Sequence, residues 1–291
     1  MLKGSLKLLP ALLAGVLFAH SVRSAEISGS KRDDRVAVLE GVIVPGDYEK
    51  VSQFILSSVH SRIFLGSPGG DLGEAIKIGR LLREFKFQTI VPSRNAGEAI
   101  QKMLVQLSGL QNPQRNYVCT SACFFLFIAG IQRMADYGES PGLGIHRPYM
   151  SDADVRLLSA DGAMKAATNT RAVVDAYLRE MGVPAKYSDA MFSIQKDTIK
   201  WIDPESFTAD FQGFIPELID WVRARCKKLT DAERKIWDAL KDRAATRAEN
   251  LMVQNMLPKW SEQYRCEYDL QAELSLEAYE KALQAGKLKL R

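Results

Sequence analysis

The chain has 291 residues, 46% of them hydrophobic and 25% charged, and a formal net charge of +4. That length holds one large domain with an extension, or two small ones, and the apolar content supports a sizeable core. Charge so close to balance gives no electrostatic case for nucleic acid as a partner.

Residues 1–25 read as a secretory signal peptide. Lys3 and Lys7 precede an apolar run from Leu8 to Ala19, followed by Val22-Arg23-Ser24-Ala25. The run falls short of the roughly 20 residues that span a bilayer. An uncleaved leader acting as a membrane anchor is the alternative. Cleavage after Ser24 keeps a small residue at −1 and Val22 at −3, whereas cleavage after Ala25 puts Arg23 at −3, which is poorer. Loss of the leader deletes Lys3, Lys7 and Arg23 and no acid, so the net charge falls from +4 to +1. The mature protein is expected in the periplasm or outside the cell.

Export makes the cysteines informative. Cys119, Cys123, Cys226 and Cys266 allow three pairings. A Cys226–Cys266 bond would close a loop of about 40 residues, worth roughly 4 kcal/mol by chain entropy. Cys119 and Cys123 either clamp the turn between them or stay as buried thiols. No histidine lies at ligand spacing to these cysteines, so no metal is expected, and no cofactor.

From Val36 the chain alternates strand and helix. Val36 to Val44 is β-branched and stops at Pro45-Gly46. Asp47 caps a helix with Val51, Phe54, Ile55 and Val59 on one face. Arg62 to Gly66 form the next strand, ending in the turn Ser67-Pro68-Gly69-Gly70-Asp71. A second amphipathic helix carries Ile76, Ile78, Leu81 and Leu82, and Gln88 to Val91 make a further strand, ended by Pro92. This rhythm argues for an α/β fold with largely parallel pairing. Residues 93–115 interrupt it with a helical pattern (Ile100, Met103, Leu104, Leu107), read as a packed surface insertion or a cover over a site.

Residues 117–149 carry the chemistry. Tyr117 and Val118 lead into Thr120-Ser121-Ala122, small residues that suit a sharp strand-to-helix turn, and the apolar run Phe124 to Ala129 ends at Gly130. His146 lies on a second β-like segment, Leu143 to His146, closed by Pro148. A serine on an elbow and a histidine at a neighbouring strand end are the material of a nucleophile–base pair. Gly69-Gly70 permit an N–H to point out of their turn, and with the Ala122 N–H it would make two donors for an oxyanion. Of the three histidines, His20 leaves with the leader and His60 ends a helix, so His146 is the base.

Ser-Pro-Gly-Gly, the Cys-Thr-Ser-Ala-Cys elbow with its apolar helix and Ala-Gly, and Ile-His-Arg-Pro together resemble the ClpP/crotonase superfamily. The similarity is to the Clp protease proteolytic subunit and its secreted, periplasmic relatives, over roughly residues 36–215. The resemblance implies a repeated β-β-α spiral and an ATP-independent serine hydrolase, a peptidase acting on peptides or unfolded protein. Ser121 would be the nucleophile, His146 the base, and the N–H groups of Gly70 and Ala122 the oxyanion hole. The segment Ile194-Gln195-Lys196-Asp197-Thr198 resembles the one carrying the family's triad aspartate, which points to Asp197, with Asp189 and Asp203 as alternatives. The helix at 163–181 resembles the family's handle, implying a homo-oligomer. No ATPase partner is expected outside the cytoplasm. A non-catalytic binding or scaffold protein, or an esterase using the same machinery, are the other readings.

Past Pro216 the resemblance stops and the pattern is all helix. The organisation expected is therefore a signal peptide over 1–25, a ClpP/crotonase-like domain over 26–215 and a helical extension over 216–291. One helix starts near Pro216. A capping box at Thr230 to Glu233 opens another that runs to about Leu257, before Pro258. A last helix ends at Gly286.

Overall fold

The computed structural model describes residues 24–30, 35–94, 117–135, 140–148, 158–241 and 246–288. Residues 1–23, within the segment read as a signal peptide, and most of the segment 93–115 lie outside them.

In chain order the elements are β1 (Glu26–Gly29), β2 (Val36–Glu40), α1 (Asp47–Ser57), β3 (Arg62–Gly66), α2 (Leu72–Glu84) and β4 (Gln88–Val91). Then come β5 (Cys119–Thr120), α3 (Ala122–Phe127), β6 (Gln132–Ala135), β7 (Leu143–Ile145), α4 (Ala160–Glu180) and α5 (Lys186–Ser193). The chain closes with β8 (Lys200–Trp201), α6 (Pro204–Asp210), β9 (Gly213–Phe214), α7 (Pro216–Cys226), α8 (Asp231–Leu240) and α9 (Arg247–Gln284). The larger sheet runs β1-β2-β3-β4-β6-β9. Its four central strands are parallel, and β1 and β9 are antiparallel edges. A second sheet, β5-β7-β8, pairs β5 parallel and β8 antiparallel to β7. The chain is thus α/β with a helical C-terminal part, as its strand–helix rhythm required.

The core is built around α3. Every residue from Ala122 to Phe127 is buried, because this short helix is apolar on all sides. Burying Phe124, Phe125 and Phe127 contributes about 1.5–3 kcal/mol each. On α2, Ala75, Ile78 and Leu82 are fully buried in the same cluster. Gly79 is an obligatory gap in that helix. A Cβ there would sit 1.9 Å from the Tyr177 hydroxyl, which donates to the Phe125 carbonyl at 3.0 Å. Burial pushes the Tyr177 phenol above its usual range, so it serves as a neutral donor.

Three expectations need correction. Asp47 is the first residue of α1, behind Gly46 at φ 94°, and its carboxylate turns back to accept the Val44 N–H at 2.7 Å. Val59 lies beyond the helix and is 41% exposed. The helix opened by the Thr230–Glu233 capping box ends at Leu240, and a second box at Thr246 and Glu249 starts α9. Pro258 lies within α9 and does not end a helix. Packing overrides its missing N–H: Met256 and Trp260 flank it and close on Trp237, the two indoles stacked at 5.1 Å.

The long helix α9 is bound to the sheet by polar groups. Gln271 Nε2 donates to the carbonyls of Ser61 at 2.8 Å and Lys86 at 2.9 Å. Ser275 Oγ donates to the Phe85 carbonyl at 2.8 Å, and both side chains are fully buried. These carbonyls lie where the chain enters β3 and β4, and buried carbonyls need donors. Tyr279 packs on Phe85 with ring centroids 4.5 Å apart, and the Arg62 guanidinium lies 3.2 Å from the Tyr268 ring centre. No helix among the described residues is long and apolar enough to cross a membrane.

Two disulfides are present, Cys119–Cys123 and Cys226–Cys266. The second ties α7 to α9 across 40 residues of sequence, a crosslink worth about 4 kcal/mol in the chain-entropy picture. Denaturant unfolding of the oxidised protein and of a Cys226→Ser/Cys266→Ser variant should differ by a loss of that order. Coincident transitions would count against the assignment.

Candidate active site

The elbow joins β5 to α3 through Ser121, whose backbone sits at φ 55°, ψ −123°. A non-glycine residue with positive φ costs of order 1–3 kcal/mol and persists only where its surroundings hold it. Here they hold it from several sides. Ser121 N–H donates to the Gly144 carbonyl on β7 at 3.1 Å, and Cys119 N–H to the Gly142 carbonyl at 2.7 Å. Thr120 is fixed to the glycine turn by both its N–H, to Ser67 O at 3.1 Å, and its hydroxyl, to Pro68 O at 2.9 Å. The Cys119–Cys123 disulfide spans the turn with the two Cα atoms 5.2 Å apart.

The glycine turn presses directly on the serine. A Cβ on Gly69 would lie 2.6 Å from Ser121 Cβ and 2.8 Å from the Ala122 nitrogen. A Cβ on Gly70 would lie 2.0 Å from the Ile43 carbonyl oxygen. Their φ angles, 102° and 139°, are also those glycine favours. The Ser67 hydroxyl accepts the Gly69 N–H at 3.1 Å, and Ile43 bonds both flanks of Gly70: its N–H to Gly69 O and its carbonyl from Asp71 N–H, each at 2.8 Å. The Gly70 residue is exposed beside the half-buried Ser121. Ser67 and Gly69, read from the sequence as parts of the turn, and Gly144, which was not singled out, carry as much of this geometry as Ser121, Gly70 and Ala122. The glycine-rich string was the signal for Gly69, and no local signal marked Gly144.

His146 follows β7, one residue beyond the Ile145–Lys200 pair. Its Nε2 bonds the carbonyl of Lys196, the residue before Asp197. A carbonyl only accepts, so Nε2 is the donor in this contact. The elbow and His146 are therefore joined through β5–β7 pairing, and His146 touches the turn that contains Asp197. That carboxylate is exposed. The two alternative aspartates have structural partners. Asp203 caps α6, its carboxylate accepting Ser206 N–H and Oγ–H at 2.8 Å each, and those hydrogen bonds hold its pKa below the usual range. Asp189 pairs with Arg171.

The far end of α3 is held by two guanidinium groups that the sequence reading missed. Arg133 donates to the carbonyls of Ile128 at 2.5 Å, Gly130 at 3.2 Å and Met181 at 2.7 Å. Arg83 donates to Ala129 at 2.6 Å and Ile128 at 3.2 Å. Burial pushes Arg133 down to about 9, which leaves it charged at neutral pH. Cations belong at helix C-termini, where carbonyls lack intrahelical donors.

No protein-family model matches the chain, and no curated protein does. Among solved structures it is similar to a membrane-bound stomatin-specific protease in a serine-to-alanine mutant form. That match has 16% identity and a TM-score of 0.39, covering 66% of this chain and 84% of the other. It is also similar to human enoyl coenzyme A hydratase domain-containing protein 3, with 12% identity and a TM-score of 0.34, covering 92% of this chain and all of the other. The α/β class stands on the strand order itself.

The strain at Ser121 is measurable. Glycine relieves about 1–3 kcal/mol at such a position and costs about 0.5–1 kcal/mol in unfolded-chain entropy. Ser121→Gly should therefore be about 1 kcal/mol more stable than Ser121→Ala in denaturant titration. Equal stabilities would mean that the backbone there is unstrained.

Proposed function

We propose that the chain is an exported, ATP-independent serine hydrolase of the ClpP/crotonase type, acting as a peptidase on peptides or unfolded protein. The observation that carries this reading is the conformation of Ser121: a strained elbow held against a double-glycine turn. Nucleophiles are placed this way so that the hydroxyl is presented while neighbouring N–H groups remain available.

In this reading Ser121 Oγ attacks the substrate carbonyl. His146 takes the hydroxyl proton and returns it to the leaving group, with Asp197 holding the imidazole. The N–H groups of Gly70 and Ala122 stabilise the oxyanion, each worth about 10²–10³ in rate. His146 must first release the Lys196 carbonyl and turn, so that a basic nitrogen faces Ser121 and the N–H faces Asp197. Two disulfides favour an oxidising compartment, and no ATP-driven unfoldase operates there. The domain division at 215 and the cleaved leader belong to the same proposal. So does self-association through α4, whose outer turns are exposed, Met164 at 72% and Val173 at 49%.

A fluorophosphonate should label the mature protein once, at Ser121. Ser121→Ala should abolish labelling, His146→Ala should slow it by orders of magnitude, and Asp197→Asn should impair turnover with the fold intact. Cleavage of peptides over activated esters would separate peptidase from esterase. A second reading, a binding or scaffold protein on the same fold, is favoured by the Lys196 carbonyl occupying His146. Folded protein that takes no label and cleaves neither substrate class would decide for it. Light scattering at micromolar concentration should find an oligomer, and an active strict monomer would remove α4 as an assembly element.

A further inference from the structure

We infer that Ala25 and Asp47 form an ion pair created by processing: once the leader is cut after Ser24, the new α-ammonium of Ala25 pairs with the buried Asp47 carboxylate and braces the Gly69–Gly70 turn. This rests on residues 1–24 being a cleaved leader and is independent of hydrolase activity. Asp47 is 0% exposed and Ala25 5% exposed, and the Ala25 nitrogen lies 3.3 Å from Asp47 Oδ2. Among the described residues the charged partner of Asp47 is Lys50, whose ammonium lies 2.8 Å from Oδ1 and whose side chain is half exposed. A fully buried carboxylate whose counter-ion is half in solvent is left partly uncompensated, a cost that a second cation beside it relieves.

Processing supplies that cation in place. Hydrolysis adds water across the Ser24–Ala25 peptide bond: the Ser24 carbonyl carbon gains the hydroxyl and the Ala25 nitrogen gains the hydrogen. The freed amine, with an ordinary pKa of about 8, then takes a proton from solvent. The Ser24 hydroxyl that holds Lys50 Nζ at 3.2 Å departs with the leader. Glu26 on β1, Glu40 on β2 and Lys50 on α1 line the cleft beside Ala25, so acids outnumber the lysine around the new ammonium.

The brace runs through three residues. Asp47 Oδ2 also accepts the Val44 N–H at 2.7 Å, and adjacent Ile43 bonds Gly69 and Asp71 on either side of Gly70. Glu74, on the helix that follows the turn, accepts the N–H groups of Gly46 at 3.1 Å and Tyr48 at 2.9 Å. Residues 43–48 are thereby tied to the glycine turn and, through Asp47, to the first residue of the processed chain.

N-terminal sequencing of the exported protein should read Ala25 first, and a different first residue overturns the inference. Two forms are then compared, one beginning at Ala25 and one retaining Ser24, each with and without Asp47→Asn. The form beginning at Ala25, with its amine on the nitrogen beside Asp47, should melt about 2–4 °C higher than the form in which that nitrogen is a peptide amide, and Asp47→Asn should erase that gap. Equal melting, or a gap that survives Asp47→Asn, overturns it. If Asp47→Asn does not fold, titration of the Ala25 amine in the wild type decides. Pairing raises its pKa above about 8, so the stabilisation is complete below that value and is lost as pH rises through the higher folded one. An amine titrating at or below about 8 overturns the inference.

Discussion

The backbone of Ser121 occupies a region that side-chain-bearing residues avoid, and the neighbouring structure is arranged around keeping it there. The cost, about 1–3 kcal/mol, is small beside the burial of three phenylalanines at about 1.5–3 kcal/mol each. Burial alone would leave α3 free to slide along its axis, since apolar contact has little directionality. Direction comes from hydrogen bonds at both ends. Thr120 and Ser121 are bonded to the glycine turn and to β7, and the last carbonyls of α3 are gripped by Arg83 and Arg133. The disulfide across the turn adds a covalent limit on how far the elbow can open.

At the opposite end of the sheet the same problem of unsatisfied backbone is met by side chains of α9. Gln271 and Ser275 are polar, fully buried and used for main-chain carbonyls. The helix α9 thus takes part in the hydrogen bonding of the sheet, and Cys226–Cys266 ties α7 to it. An apolar residue in place of Gln271 would leave two carbonyls with one donor fewer, a loss of about 1–3 kcal/mol.

The legible parts of the sequence were those where local chemistry dictates geometry. Ser67-Pro68-Gly69-Gly70 announced its turn because only glycine tolerates those angles, and the alternation of short apolar strands with amphipathic helices announced the parallel sheet. Thr230 and Glu233 marked a helix start through reciprocal capping. What stayed hidden depends on partners distant in sequence. Gly144 matters because its carbonyl meets Ser121 N–H, and nothing near Gly144 encodes that. Pro258 read as a stop because its ring removes one hydrogen bond, but the stacked Trp237 and Trp260 carry the helix past it. Arg133 drew no notice in the sequence, since a lone arginine near an apolar run gives no sign that three carbonyls await it.

Arg133 reaches two elements with one planar group, the end of α3 through Ile128 and Gly130 and the end of α4 through Met181. Tyr177 makes a second rivet between the same helices at Phe125. The exposed outer turns of α4 and the buried base of α4 form one unbroken rod, clamped at two points to the helix that begins at the elbow. The buried end of α4 is thus anchored in the core while its outer turns stand clear of it. A partner bound at the outer turns of α4 would rest on a helix fastened at its base to the one that begins at Ser121.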